Sequence, residues 1–206
     1  MKEYEKKTID FYEQNAESYI SDTIGADMGE LYSHFEKYTG PGMSILDLGC
    51  GTGRDARHFI DCGLNVTAVD GSQKMCDCAA ELTGLHVRKL LFEDIDYESC
   101  FDAVWACASL LHLTKRDLPE VIQKVNRALV PGGIFFTCFK YGNEEVERGG
   151  RYFSYYDEGG AAELFGDVGG FEVLEMFMTG DVRKGRGGEA WINVIVRKKN
   201  DYLQPY

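Results

Sequence analysis

No run of about 18 or more apolar residues occurs in the 206-residue chain, so no segment has the length and hydrophobicity of a membrane-spanning helix. The opening stretch MKEYEKKTIDFYEQ lacks an apolar core and carries acidic residues. It is expected to be neither a secretory signal nor a transit peptide. Positive charge is scarce: 22 Lys and Arg stand against 34 Asp and Glu, a formal net charge of −12. Nucleic-acid binding depends on phosphate contacts from a basic face, so this balance argues against a DNA or RNA partner. Arg183-Lys184-Gly185-Arg186 and Arg197-Lys198-Lys199 are the candidates for a local basic patch, and solvated surface charge is the plainer reading of each. Metal-type cysteine spacing is missing too. The seven cysteines are odd in number, and Cys76 and Cys78 form C-x-C without a histidine cluster. Reduced thiols in a cytoplasmic protein, with no bound metal, fit that usage. Internal repeats and low-complexity linkers are absent as well. A single domain over residues 1–206 is therefore expected, with residues 1–40 as a helical lid, 41–199 as the core and 200–206 as a tail.

What is present is alternation. Ile9, Phe11, Tyr12, Ala16, Tyr19 and Ile20 fall at helical spacing, and Leu31, Phe35 and Tyr38 continue it up to the break at Gly40-Pro41-Gly42. Strand patterns then cover 44–48, 65–69, 85–92, 101–107, 134–139, 171–178 and 191–196. Helical patterns fall between them at 54–62, 73–82, 115–129 and 161–165, the third with Leu118, Val121, Ile122, Val125 and Leu129 on one face. Pro131-Gly132-Gly133 is expected to stop that helix. Such alternation predicts an α/β fold: a Rossmann-like, doubly wound, seven-stranded sheet with helices on both faces. The last two strands have no helix between them. The glycine-rich stretch 180–188 joins them, so the C-terminal strand is expected to be antiparallel in an otherwise parallel sheet.

The chemistry-bearing signal is Ile45-Leu46-Asp47-Leu48-Gly49-Cys50-Gly51-Thr52-Gly53-Arg54-Asp55. A buried strand runs into a glycine turn and then a helix, whose free N–H groups and bare backbone let a ligand approach closely. A dinucleotide fingerprint needs G-x-G-x-x-G, and here Arg54 stands where its last glycine belongs. Asp47 adds negative charge near the turn, which suits a cationic ligand better than a pyrophosphate. An acid closing the second strand, Asp70, is suited to a ribose diol, because one carboxylate can accept from both hydroxyls.

This segment resembles motif I of the class I S-adenosylmethionine-dependent methyltransferases, in which an acid precedes G-x-G-x-G. Val66-Thr67-Ala68-Val69-Asp70-Gly71-Ser72 is similar to the family's second strand and ribose-binding acid. Phe92-Glu93-Asp94-Ile95 resembles its adenine-edge segment. Phe101-Asp102-Ala103-Val104-Trp105-Ala106 resembles the fourth strand, Arg127-Ala128-Leu129-Val130-Pro131-Gly132-Gly133 the "L-K-P-G-G" helix end, and Gly170-Phe171 the entry to the sixth strand. The resemblance covers residues 44 to 198 in order. It implies S-adenosyl-L-methionine as cofactor, S-adenosyl-L-homocysteine as product, and a cofactor site built from Tyr19, Asp47, Gly49, Cys50, Gly51, Gly53, Arg54, Asp70, Gly71, Ser72, Met75, Glu93, Asp94, Ile95, Ala106 and Ala108.

A sulfonium methyl is already activated, so alignment and water exclusion carry most of the expected catalysis. The segment Phe11 to Tyr19 resembles the "F-Y-D-x-x-A-x-x-Y" start of many small methyltransferases, which makes the N-terminal helices the expected lid. His112 is the candidate base, with packing as its alternative role. Ala106-Cys107-Ala108-Ser109 is not (D/N)-P-P-(Y/F/W), which argues against adenine and glutamine-amide acceptors. A small-molecule acceptor is expected, with Tyr12, Lys140, Arg151, Tyr155, Arg183 and Trp191 as candidate contacts and Tyr141, Tyr152 and Tyr156 nearby. The compact chain also resembles tellurite-resistance and thiopurine-type small-molecule methyltransferases. Methylation of a tRNA base or a protein side chain, and non-catalytic cofactor binding, are the alternatives. A monomer or homodimer is expected, with no membrane association.

Overall fold

In the computed structural model, residues 1–183 and 188–200 are described. Lys184, Gly185 and Arg186 of the first basic stretch, and 201–206 of the expected tail, lie outside the described residues.

A seven-stranded sheet forms the centre, in the order β3-β2-β1-β4-β5-β9-β8. Its strands are β1 (Ser44–Leu48), β2 (Asn65–Asp70), β3 (Arg88–Lys89), β4 (Phe101–Ala106), β5 (Leu129–Lys140), β8 (Phe171–Gly180) and β9 (Ala190–Lys198). β1 pairs in parallel with β2 and β4, and β4 with β5. β9 is antiparallel to both β5 and β8, which makes it the one reversed strand of the sheet. The helices are α1 (Glu3–Thr23), α2 (Gly29–Phe35), α3 (Arg54–Asp61), α4 (Gln73–Thr83), α5 (Leu118–Ala128) and α6 (Glu158–Val168). Among the described residues, no helix is long and apolar enough to cross a membrane.

Strand alternation divides the core into two layers. Val104, Phe135, Val194 and Val196 face α5 and α6, meeting Leu118, Val121, Ile122, Val125 and Phe165. Each of those α5 side chains contributes about 1.5–3 kcal/mol by burial, an upper figure because the unfolded chain already hides part of this surface. Trp105, Ile134, Phe136 and Ile195 face the other way and meet Phe35 of α2 and Phe59 of α3. The Trp105 ring stacks on Phe136 at 4.0 Å between centroids.

Three elements differ from the sequence pattern. The strand expected at 85–92 shrinks to β3, two exposed residues. After it Leu90, Leu91 and Phe92 leave the sheet for a 3-10 turn, Phe92–Asp94. The helix expected at 115–129 is α5, and it ends at Ala128 rather than at Pro131-Gly132-Gly133. Leu129 is already extended and paired with Phe101, and the sheet absorbs the Pro-Gly-Gly segment as an irregularity. Finally, a separate hairpin, β6 (Glu145–Arg148) and β7 (Arg151–Ser154), packs on α1. Its turn is Gly149-Gly150, with φ of 59° and 76°, the left-handed pair a two-residue hairpin needs. Tyr152 N–H donates to Thr8 Oγ1 at 3.2 Å, and Lys7 Nζ lies 3.1 Å from Glu147.

Candidate functional site

One cavity of about 200 Å³ opens along the carboxyl ends of β1, β2 and β4, under α1 and the β6–β7 hairpin. Its first end is built by the glycine turn. Gly51, with φ of 54°, has nothing within 4 Å of where a Cβ would stand, so the backbone is bare toward the cavity. Gly49 and Gly53 serve packing instead. A Cβ on Gly49 would lie 2.5 Å from Ser109 Cβ, and one on Gly53 would lie 2.8 Å from Ala79 Cα of α4. Ser109 Oγ donates to Leu48 O at 2.7 Å, holding the loop after β4 against the turn. Next to Ser109, Ala108 sits at φ 50°, a left-handed conformation that costs a non-glycine residue about 1 kcal/mol or more.

Asp70 ends β2 beside this turn. Its Oδ2 accepts from Gly51 N–H at 2.9 Å and its Oδ1 from Ser72 N–H at 2.8 Å. Both oxygens are thereby fixed, and each retains a lone pair. Burial raises the Asp70 pKa, and the backbone donors of Ser72 and Gly51 oppose the rise. Gly71, Ser72 and Met75 follow along the same wall, with Ser72 capping α4 through Met75 N–H at 3.3 Å. Leu90, Leu91 and Phe92 form the facing apolar wall.

Behind the turn lies a network that sequence reasoning missed. Asp55, in the first turn of α3, is 7 % exposed. It accepts from Arg54 Nε at 2.7 Å, Tyr32 Oη at 2.6 Å and Trp105 Nε1 at 2.9 Å. Arg54 also donates to Thr23 O at 3.1 Å, tying α3 to the end of α1. Burial pushes the Asp55 pKa up, but Arg54 and the two further donors outweigh it, and the net shift is down. Asp47, on β1, is 2 % exposed, and its Oδ2 has no hydrogen-bond partner among the described residues. Burial, with Asp55 nearby, drives its pKa well up.

The second end of the cavity is aromatic and cationic. α1 bends at Asn15 (φ −118°, ψ 19°), with Tyr12 before the bend and Tyr19 after it, their rings edge-on at 5.1 Å. His112 Nδ1–H donates to Tyr152 O at 2.7 Å, which leaves Nε2 as the acceptor for Tyr12 Oη–H at 2.9 Å. Burial lowers the His112 pKa to about 4, and the charges of Arg151 and Lys140 add to that effect. Lys140, Arg151, Phe153, Arg183, Trp191 and Asn193 complete this end.

The structure brings most of the sequence-predicted residues to the cavity. Tyr19, Gly49, Cys50, Gly51, Arg54, Asp70, Gly71, Ser72, Met75 and Ala108 line it, as do Tyr12, His112, Lys140, Arg151, Arg183 and Trp191. Asp47, Gly53 and Ala106 stand behind its wall. Glu93, Asp94 and Ile95 are turned away. Glu93 pairs with the amino terminus, Asp94 is exposed, and Ile95 is buried in the α5 layer. The 3-10 turn Phe92–Asp94 begins where the lining residues Leu90, Leu91 and Phe92 end. Tyr155 does not line the cavity either; its ring packs on Gly142. Tyr141 is exposed and donates to Glu158 at 2.9 Å. The Tyr152 hydroxyl is engaged by Glu145 at 2.8 Å, and the Tyr156 ring packs on Phe139.

Residues 45–133 match the family model of a methyltransferase domain. Over 123 residues the chain is 36 % identical to a sterol 24-C-methyltransferase, ERG6B of Gibberella zeae, covering 52 % of this chain and 32 % of that protein. Over 97 residues it is 34 % identical to an uncharacterized methyltransferase, sll0829 of Synechocystis sp., covering 46 % of each. The chain thus spans a third to under half of the length of these curated relatives. In structure it is similar to 1,6-didemethyltoxoflavin-N1-methyltransferase of Burkholderia thailandensis, solved with 1,6-didemethyltoxoflavin and S-adenosylhomocysteine. The TM-score is 0.76 at 20 % identity, over 93 % of this chain and 85 % of that one, a likeness of fold.

Proposed function

We propose that this chain, whose residues 45–133 match a methyltransferase-domain model, is a class I S-adenosylmethionine-dependent methyltransferase that moves a methyl group from that donor to a small-molecule acceptor seated at the aromatic end of its cavity. The observation that carries this reading is the continuity of the cavity. One space runs from the Asp70 carboxylate to the Tyr12–His112 pair, so donor and acceptor can meet in it away from bulk water. A non-catalytic binder has no need of the second end.

The residues present fit the donor. Asp70 offers two fixed oxygens to a diol, Gly51 leaves its backbone bare, and Leu90 to Phe92 give a flat ring an apolar wall. Gly71, Ser72 and Met75 border the same pocket, and Tyr19 and Ala108 border the middle of the cavity. S-adenosylmethionine supplies, when bound, a methyl group already activated on a sulfonium. The chain's own residues then align, enclose and, where the acceptor has a proton to lose, accept it.

α1 acts as the lid, since Glu5, Thr8, Ile9, Tyr12 and Tyr19 all line the cavity from one helix. Removing residues 1–25 is expected to weaken S-adenosylhomocysteine binding by at least about tenfold in calorimetry. Undiminished affinity and turnover in the truncated chain would end the lid reading.

Proton acceptance falls to His112 acting through Tyr12. Tyr12 Oη faces the cavity and already points its hydrogen at His112 Nε2, so a proton taken up by Tyr12 is matched by one passed to His112. Burial raises the Tyr12 pKa, so the phenol does not ionise on its own near neutrality. His112→Ala is expected to lower kcat by about a hundredfold, the low end for general base catalysis, and to leave S-adenosylhomocysteine affinity unchanged. The pH profile gives a second check. With its pKa held at about 4, His112 stays neutral through pH 5–8. The acid limb of kcat/KM, which reports the unliganded chain, is expected near pH 4, and a limb near pH 6.5 would mean that His112 is solvated and free of Tyr12.

A further inference from the structure

Among the described residues four cations line the cavity, and three of them are paired with carboxylates of the chain itself. Arg54 is paired with Asp55 at 2.7 Å, Lys140 with Glu189, and Arg183 Nε with Asp181 Oδ1 at 2.8 Å. Arg151 is the fourth. Among the described residues no carboxylate lies within ion-pair reach of it, and its buried Nε has no hydrogen-bond partner. Aromatic residues surround it instead, and the polar group it acts on is the neutral Tyr12 hydroxyl, whose pKa burial raises and Arg151 lowers in opposition. Its guanidinium carbon lies 4.2 Å from the Phe11 centroid, 5.2 Å from Phe153 and 5.8 Å from Tyr12.

An arginine cannot shed its charge, and ring quadrupoles attract a cation far less strongly than a carboxylate in contact does. A partly buried guanidinium without a counter-charge is therefore a cost that the free protein carries. The rings lie on its α1 and β7 sides, and Arg151 also lines the cavity, so a ligand there is the route for compensation. A planar guanidinium fork matches a carboxylate. A phosphate dianion would call on a second cation, and Lys140 and Arg183 already have carboxylate partners.

We propose that Arg151 is an anion-anchoring residue and that the methyl acceptor is a carboxylate-bearing small molecule. The acceptor docks its carboxylate on the Arg151 fork and lays its apolar part against Phe153 and Trp191. This rests on the methyltransferase reading for the identity of the ligand, but not for the existence of the anion site. An anion on Arg151 also offsets one of the two positive charges that press on His112, so acceptor binding makes the imidazole a better proton acceptor when it is needed.

The experiment is a calorimetric titration of the full chain saturated with S-adenosylhomocysteine, using two matched probe pairs: phenylacetate with phenylacetamide, and hexanoate with hexanamide. Each acid is expected to bind at least about tenfold more tightly than its amide. Arg151→Met should erase that preference. Arg151→Lys, which keeps the charge and the fold but loses the fork, should retain a fraction of it. S-adenosylhomocysteine affinity is expected to stay within about threefold of wild type in both variants. Equal binding of acid and amide, or no detectable acid binding at about 10 mM, would overturn the proposal. So would a parallel loss of S-adenosylhomocysteine affinity, which would give Arg151 to the carboxylate of the donor. If the wild-type chain takes up no S-adenosylhomocysteine at all, the methyltransferase reading fails by itself, and the same probe pairs still test Arg151 in the unliganded chain.

Discussion

Asp55→Ala is expected to destabilise the fold by about 3–5 kcal/mol, the range for stripping one partner from a buried ion pair. For a chain of this size that corresponds to a fall in Tm of about 6–20 °C, measurable by thermal or urea denaturation. The magnitude follows from what the substitution leaves behind. Arg54 is held between α3 and the end of α1, and without Asp55 it becomes a partly buried cation whose remaining partner is a carbonyl, Thr23 O. The Tyr32 hydroxyl and the Trp105 indole N–H lose their acceptor in the same step. Replacing Arg54 by Met in the Asp55→Ala background should recover part of the loss, because the stranded charge goes with it. The pH dependence has a fixed sign. The folded pKa of Asp55 is depressed, so its contribution is complete above the unfolded value of about 3.9 and disappears as pH falls through the lower folded value. The variant should therefore lose least relative to wild type in acid. A penalty below about 1 kcal/mol at neutral pH would show that the network is solvated.

Much of this arrangement is legible in the sequence, and the illegible part has identifiable causes. The strand–turn–helix at Ser44 to Asp61 reads correctly because local signals agree: a short strand carrying Ile45, Leu46 and Leu48, then closely spaced glycines, then a helical periodicity. The reversed β9 is equally legible, since two strands joined without a helix have to run antiparallel. Glu93 and Asp94 were named for residue types that suit an adenine edge, whereas the 3-10 turn on which they sit, Phe92–Asp94, has no local sequence signal. Asp55 was visible beside Arg54, but its partners Tyr32 and Trp105 come from 23 and 50 residues away, and no local pattern joins them. The β6–β7 hairpin did leave a trace, Gly149-Gly150 flanked by short strand-like runs, and it went unread among stronger signals. The hairpin brings Arg151 and Phe153 to the cavity lining.

Asp70→Ala is expected to give the opposite pattern to Asp55→Ala: little change in stability and a loss of about 100-fold or more in S-adenosylhomocysteine affinity, the equivalent of two hydrogen bonds to a charged group. Both oxygens of Asp70 are fixed by backbone donors, so a ligand diol meets a preorganised acceptor pair. Asparagine is not a conservative replacement here. Whichever way its amide turns, the NH₂ group opposes either Gly51 N–H or Ser72 N–H, and only one acceptor oxygen remains for the ligand. Asp70→Asn should therefore bind within about threefold of Asp70→Ala. Stability moves differently because burial raises the folded pKa of Asp70. A carboxyl shifted upward stabilises the fold below its unfolded pKa and opposes it above the folded one, so at neutral pH the unliganded chain carries this charge at a cost. Removing it relieves that cost but leaves Gly51 N–H and Ser72 N–H to water at the cavity edge, so the unliganded Tm is expected to change by no more than about 3 °C. Calorimetry paired with thermal denaturation separates the cases: lost affinity with retained stability assigns Asp70 to the ligand, whereas a joint fall would make it one more strut of the glycine turn.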